Sequence, residues 1–170
     1  MSPWYWALPA VLVFWSVGAY NRLVRLRGAA RVAFEAVDRA GQRFQALLDA
    51  PLPSADDART AGERAGLRGA LMQLDAALRV ARREVLSAPA IAVLQSAHTT
   101  LRVWEVRLSE ASGPGPALDD WRARWTEAVR QSDEASAGFN EAVQTYNEAI
   151  RQFPAVLLAL LFGFRAGGLL

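Results

Sequence analysis

The sequence predicts an all-α protein, in which an N-terminal transmembrane helix continues into an elongated antiparallel four-helix bundle. Three observations carry this. No charged side chain occurs before residue 22, and arginines follow at once at 22, 25, 27 and 31. Four long segments then repeat apolar residues at steps of three and four, the spacing of one helix face. Breaks rich in proline and glycine separate those segments, and none of them alternates as a strand would.

The uncharged run Pro3 to Tyr20 has 18 residues, near the short end of the roughly 17–25 that span a bilayer. Trp4, Tyr5 and Trp6 stand at one end of it, Trp15 and Tyr20 towards the other, as the two headgroup belts require. A buried core helix is the competing reading, but Arg22, Arg25, Arg27 and Arg31 directly after the run favour a membrane. With none before it, their asymmetry puts the N-terminus outside and the bundle in the cytoplasm, at the inner membrane. A cleaved signal peptide ending at Val17-Gly18-Ala19 would need a basic leading region, which is missing. The expected division is therefore a transmembrane anchor at 1–20, a cytoplasmic bundle at 21–153 and an apolar C-terminal segment at 154–170.

The first helical stripe is Tyr20, Leu23, Arg27, Ala30, Phe34, Val37, Gly41, Phe44 and Leu48, broken only by Arg27 and Gly41. It starts inside the anchor, so one helix should reach from the membrane to about Asp49. Ala50-Pro51-Leu52-Pro53 ends it, because proline lacks a donor and restricts its predecessor. Ser54 with Asp56 and Asp57 is a start signal for the second helix. Its stripe is Leu67, Leu71, Leu74, Leu78, Ala81 and Val85, firm to about Leu86, while Gly62, Gly66 and Gly69 weaken its first half.

Pro89 suits the opening of the third helix, whose stripe is Leu94, Ala97, Leu101, Trp104 and Leu108. Ser112-Gly113-Pro114-Gly115-Pro116 is a loop. Asp119 and Asp120 open the fourth helix, with Leu118, Trp121, Trp125, Ala128, Ser132, Ala135, Phe139, Val143, Tyr146, Ile150 and Phe153 on its apolar face. Short connections between four amphipathic helices favour an antiparallel bundle with these stripes as its core. The fourth helix then returns to the level at which the first leaves the membrane. Pro154 breaks it there, and the apolar run to Phe164 is too short to span. That run either lies on the lipid surface or hooks onto the end of the bundle.

Composition removes several chemistries. There is no cysteine, lysine is absent from the 19 basic residues, and His98 is the one histidine. Thiolate, Schiff-base and phosphate-loop-lysine chemistry are therefore excluded. His98 lacks a second histidine with which to share a metal and reads as the edge of an apolar face. No catalytic set, metal cluster or cofactor motif is evident, so the sequence predicts neither an enzyme nor a cofactor nor a small-molecule substrate. The formal net charge is +2, and the basic cluster beside the anchor suits anionic lipid without invoking nucleic acid.

Tyr20-Asn21-Arg22-Leu23-Val24-Arg25-Leu26-Arg27 directly after an N-terminal span resembles the start of the LemA family's characteristic region. Phe139-Asn140-Glu141-Ala142-Val143, Tyr146-Asn147, Phe153-Pro154 and Phe162-Gly163-Phe164 resemble its end, in the same order. The middle departs: Phe44 to Pro51 stands where the family carries an Asp-Leu-Ile-Pro-Asn-Leu-Val-like run, so the resemblance is to a divergent member. It implies a single-span membrane protein with a cytoplasmic helical bundle and no known enzymatic activity.

On the residues themselves, Phe139 and Tyr146 are seven apart on one core face, with Asn140 and Asn147 stacked at its edge. Asn21 beside Tyr20 repeats the pair on the first helix. Such asparagines read as register locks between helices, with Phe153 and Pro154 closing the seam. The functional expectation is an interaction or scaffold protein that meets membrane lipid and protein partners or itself. A membrane-shaping role through the apolar C-terminal segment is the alternative.

Overall fold

The computed structural model describes residues 4–49, 58–112 and 115–170, with the side chains of 4–10, 12, 13, 48, 49, 58, 59, 117 and 118 left outside the description. Among the described residues the helical spacing of the sequence folds as five helices: α1 Trp4–Asp49, α2 Ala58–Arg83, α3 Ala88–Ala111, α4 Pro116–Arg151 and α5 Ala155–Phe162. No strand occurs among the described residues. The start signal Ser54, Asp56 and Asp57 and the glycine–proline pair 113–114 lie outside them.

α1 is continuous over 46 residues, about 69 Å at 1.5 Å per residue. It packs chiefly on α4, and α2 packs chiefly on α3. Each pairing is antiparallel. Along α1 and α4, Leu23 clusters with Tyr146 and Ile150, Phe34 meets Phe139, and Phe44 meets Trp125. Between α1 and α2, Gln45 donates to the Leu71 carbonyl at 2.9 Å and Arg82 pairs with Asp38 at 2.6 Å. Between α3 and α4, Arg102 reaches Asp133 at 2.6 Å and Arg122 reaches Ser109 at 2.8 Å.

The core is the set of stripes read from the sequence. Leu67, Leu71, Leu74, Leu78 and Ala81 of α2 and Leu94, Ala97, Leu101 and Leu108 of α3 are buried, facing Ala30, Phe34, Val37 and Phe44 of α1. Val85 and Trp104 are half-buried. Aromatic rings fill the end remote from Tyr20: Trp121 stacks on Trp125, and Phe44 touches both Trp125 and His98. An aromatic pair of this kind adds about 0.5–1.5 kcal/mol beyond its buried area.

Two boundaries differ from expectation. α2 ends at Arg83 rather than Leu86, because Ser87 N–H bonds the Glu84 carbonyl at 2.8 Å and turns the chain into α3. α4 begins at Pro116, three residues before Asp119, since proline in the first turn gives up only an N–H that has no helical partner there.

The glycines that interrupt the stripes have packing causes. A Cβ on Gly41 would collide with a Leu78 methyl, and one on Gly66 would collide with the Trp104 ring. Gly69 has open space around its Cβ position. Gly66→Ala should therefore destabilise by about 1–3 kcal/mol through overpacking against a rigid indole. Gly69→Ala should stabilise by about 0.4–1 kcal/mol. Urea unfolding of both variants checks the pair, and stabilisation by Gly66→Ala would contradict the packing.

Burial lowers the pKa of His98 from its ordinary 6.5, aided by Arg102 and opposed by Asp133. The folded state thus binds the proton less readily than the unfolded chain. Stability present above pH 6.5 is lost as pH falls below that value. Urea midpoints of the wild type should drop between about pH 7 and 5.5, and those of His98→Leu should drop less. Parallel pH profiles would refute this role for His98.

Candidate functional site

The end of the bundle where α1 passes Tyr20 gathers most of the residues singled out in the sequence. α4 stops at Arg151, and the Phe153–Pro154 peptide, which is cis, leads into α5. Ala155 and Ala159, one helical turn apart, are the buried face of α5 and cluster with Leu23, Tyr146, Ala149 and Ile150. The other faces stay outward: Leu160 is 80% and Leu161 76% exposed. Beside them Phe14 and Val17 of α1 are exposed as well. Trp15 meets Phe153 edge-on at 5.2 Å, and Tyr20 meets Phe162 at 5.1 Å and Phe164 at 5.9 Å. The result is an apolar collar shared by α1 and α5.

Phe153 does not sit in the helical seam as expected. It is 63% exposed, because the helix ends two residues earlier and the last seam position is Ile150. Pro154 is half-buried at the start of α5. Residues 1–3 and the side chains of 4–10, 12 and 13, Trp4, Tyr5 and Trp6 among them, lie outside the description. Among the described residues no helix is long and apolar enough to cross a membrane.

Beyond α5 the chain reverses at Gly163, whose φ of 69° lies in the left-handed region that glycine tolerates. Phe164 N–H closes the turn on the Ala159 carbonyl at 2.9 Å. Residues 164–170 then run back over the bundle as a tail, while α5 keeps an outward apolar face. Asn147 holds the Gly167 backbone twice: Nδ2 donates to the carbonyl at 3.0 Å and Oδ1 accepts from the N–H at 2.7 Å. Asn140 holds the Leu170 backbone in the same way, at 2.7 and 2.8 Å.

The spacing explains the match. Seven residues of helix advance about 10.5 Å, and three of extended chain advance about 10 Å. Gly167 and Gly168 let the tail lie close. A Cβ on Gly168 would stand 2.7 Å from the Ala88 Cα, and one on Gly167 would stand 2.8 Å from Leu86 Cδ2. The two asparagines therefore fix the tail rather than the register of two helices. They lie one residue past the buried Phe139 and Tyr146, at the rim of the core face, where a backbone strand fits and a helix does not. Asn21 is exposed, and its side chain forms no hydrogen bond among the described residues.

The arginines after the expected anchor separate. Arg22 donates to Gln152 Oε1 at 3.0 Å, and Arg25 is exposed. Arg27 and Arg31 line a cavity of about 490 Å³ together with Arg83, Glu84, Ser87, Arg165 and Tyr146. Burial raises the pKa of the Tyr146 phenol, against the nearby charge of Arg27, so the phenol is neutral. Sequence reading missed Arg83 and Arg165. The antiparallel order of α1 and α2 places Arg83 at this end, but Arg165 arrives only through the reversal at Gly163. Among the described residues no three His, Cys, Asp or Glu side chains are grouped to hold a metal. No protein-family model, curated protein or solved structure matches the chain.

Asn147→Ala should speed hydrogen exchange at the Gly167 amide, and Asn140→Ala at Leu170, each by roughly tenfold for one lost hydrogen bond. Mass spectrometry of the C-terminal peptide checks this, and unchanged protection in both variants would remove the asparagines as the tail's anchor.

Proposed function

We propose that the chain is a membrane-attached helical-bundle protein of LemA type that acts without enzymatic chemistry, as an interaction or scaffold module at the cytoplasmic face. In this reading residues 1–20 cross the bilayer, the bundle stands in the cytoplasm, and α5 lies in the headgroup layer beside the anchor. One observation carries it: the exposed collar of Phe14, Val17, Phe153, Leu157, Leu160, Leu161 and Phe162 at the end from which the uncharged run of α1 projects. Apolar side chains gathered in this way are a mark of a membrane or partner surface. α5 has eight residues, about 12 Å of helix, far less than the roughly 30 Å of a hydrocarbon core. An apolar helix of that length, anchored by two alanines, suits an interfacial position.

The residues quoted for the LemA resemblance support the same topology. Tyr20 contacts Phe162 and Phe164, so both ends of that resemblance meet here. A second reading, membrane shaping, is favoured by the outward face of α5, which would wedge between headgroups.

The absence of cysteine permits a direct test. A dye on Leu160→Cys of the full chain, reconstituted in vesicles, should be quenched by a nitroxide on lipid chains, whereas a dye on Val103→Cys of α3 should not. Equal quenching of both by a water-soluble agent would refute the interfacial placement. A reporter active only outside the inner membrane, fused after Gly113, should stay silent in cells, and a bright signal would reverse the topology. Vesicle tubulation by the wild type, lost on Leu160→Ser/Leu161→Ser, would select the membrane-shaping role.

A further inference from the structure

The cavity beside α5 joins three segments that are far apart in sequence. Arg27 and Arg31 come from α1, Arg83 from the last turn of α2, and Arg165 from the tail, with Glu84 as the one acid in the lining. All four arginines are exposed enough to meet solvent, and none has a carboxylate within salt-bridge distance among the described residues. Arg82, next to Arg83, by contrast pairs with Asp38 at 2.6 Å. Arg79, Arg102, Arg122, Arg124 and Arg130 also pair with acids.

Like charges brought together without partners repel, and folding tolerates the arrangement only because water screens it. An anion would remove that repulsion. Two further parts of the lining act in the same sense, against the Glu84 carboxylate. Tyr146 brings a neutral phenol. The start of α3 meets the cavity at Ser87, Ala88 and Pro89, with no side-chain cap and no acid in its first turn, so its positive dipole end is left uncompensated. Guanidinium groups match phosphate oxygens through paired N–H donors, and a volume of about 490 Å³ admits a phosphorylated group several times the size of a water molecule.

We propose that this cavity binds a phosphate-bearing anion, held by Arg27, Arg31, Arg83 and Arg165. Two sources share that chemistry: the headgroup of an anionic lipid, and a soluble phosphate ester. The cavity is lined by Gly163 and Phe164, directly after α5. A headgroup could therefore reach it from the layer in which the proposed function places α5, and only this lipid source rests on the membrane reading.

The test uses the full chain in two settings. In phosphatidylcholine nanodiscs, binding of inorganic pyrophosphate is followed by calorimetry. In detergent, retention of phosphatidic acid against phosphatidylcholine is followed by native mass spectrometry. The cavity variant is Arg27→Gln/Arg83→Gln. The control is Arg39→Gln/Arg68→Gln, which removes the same charge from exposed positions of the same two helices outside the cavity lining.

The wild type should bind at least one probe, the cavity variant should bind it about tenfold or more weakly, and the control should stay within about twofold. Phosphatidic acid alone would identify a headgroup site, and pyrophosphate binding a site open to soluble esters. Equal loss in both variants would mean diffuse charge and overturn the proposal, as would a wild type that binds neither. Helical circular dichroism confirms that the variants fold. If the chain fails to enter nanodiscs but binds pyrophosphate when the same calorimetry is run in detergent, the membrane reading fails and the anion site stands.

Discussion

The edge-to-face contact of Phe34 with Phe139, at 5.7 Å, lies midway along the seam between α1 and α4, and that seam sets where every later element falls. Its other contacts are Phe44 with Trp125 at one end and Leu23 with Tyr146 and Ile150 at the other. A slip by one residue would carry these side chains about 100° around their helices and out of contact. With the seam fixed, α4 has to finish where α1 passes Tyr20. The helix break at Gln152 to Pro154 then deposits α5 against α1, and Gly163 can send the tail back only along α4. The collar, the tail and the arginine cavity are consequences of one antiparallel pairing.

Asparagine suits the tail contact for a chemical reason. Its side-chain amide carries one acceptor and one donor group, as a backbone peptide does, so it can satisfy both the N–H and the carbonyl of one residue. Aspartate could only accept. The contact also answers where the tail's backbone groups find partners, since a segment lying on a bundle has no neighbouring strand to pair with. The close approach at Gly167 and Gly168 keeps the tail near enough for both bonds. The tail is thereby part of the bundle's packing, with Leu170 against the main core.

The helices and their core were legible because helical periodicity is a local signal, and four stripes of it lie in the chain. The flaws in those stripes carried information as well. Gly41 and Gly66 mark places where Leu78 and Trp104 approach a neighbouring helix, and Arg27 marks the cavity, but naming those partners needs the three-dimensional pairing. Phe153 was misplaced because its heptad position continues a pattern that the helix itself does not reach. The asparagine–tail contact was not legible, since the partner is backbone and any residue carries the same groups. The cavity was half legible: Arg27 and Arg31 stood in the expected cluster, while Arg83 and Arg165 joined it through two chain reversals.

The formal net charge of +2 conceals an uneven distribution. Towards the end of the bundle remote from Tyr20, several arginines are matched locally. Arg124 pairs with Asp120, and Arg130 sits between Glu127 and Glu134, holding the Glu127 carboxyl down at about 2. Exposed pairs of this kind add little to stability, but they cancel each other's field. At the Tyr20 end Arg27, Arg31, Arg83 and Arg165 line one cavity with Glu84, while Glu35 and Asp38 share the adjoining groove with Arg31 and Arg83. A cleft lined by one sign of charge focuses the potential and draws counter-ions to it. The positive end of the molecule is also the end with the apolar collar. Charge and exposed apolar surface at one pole give the bundle a direction, since a surface that is anionic outside and apolar beneath would attract that pole through both terms.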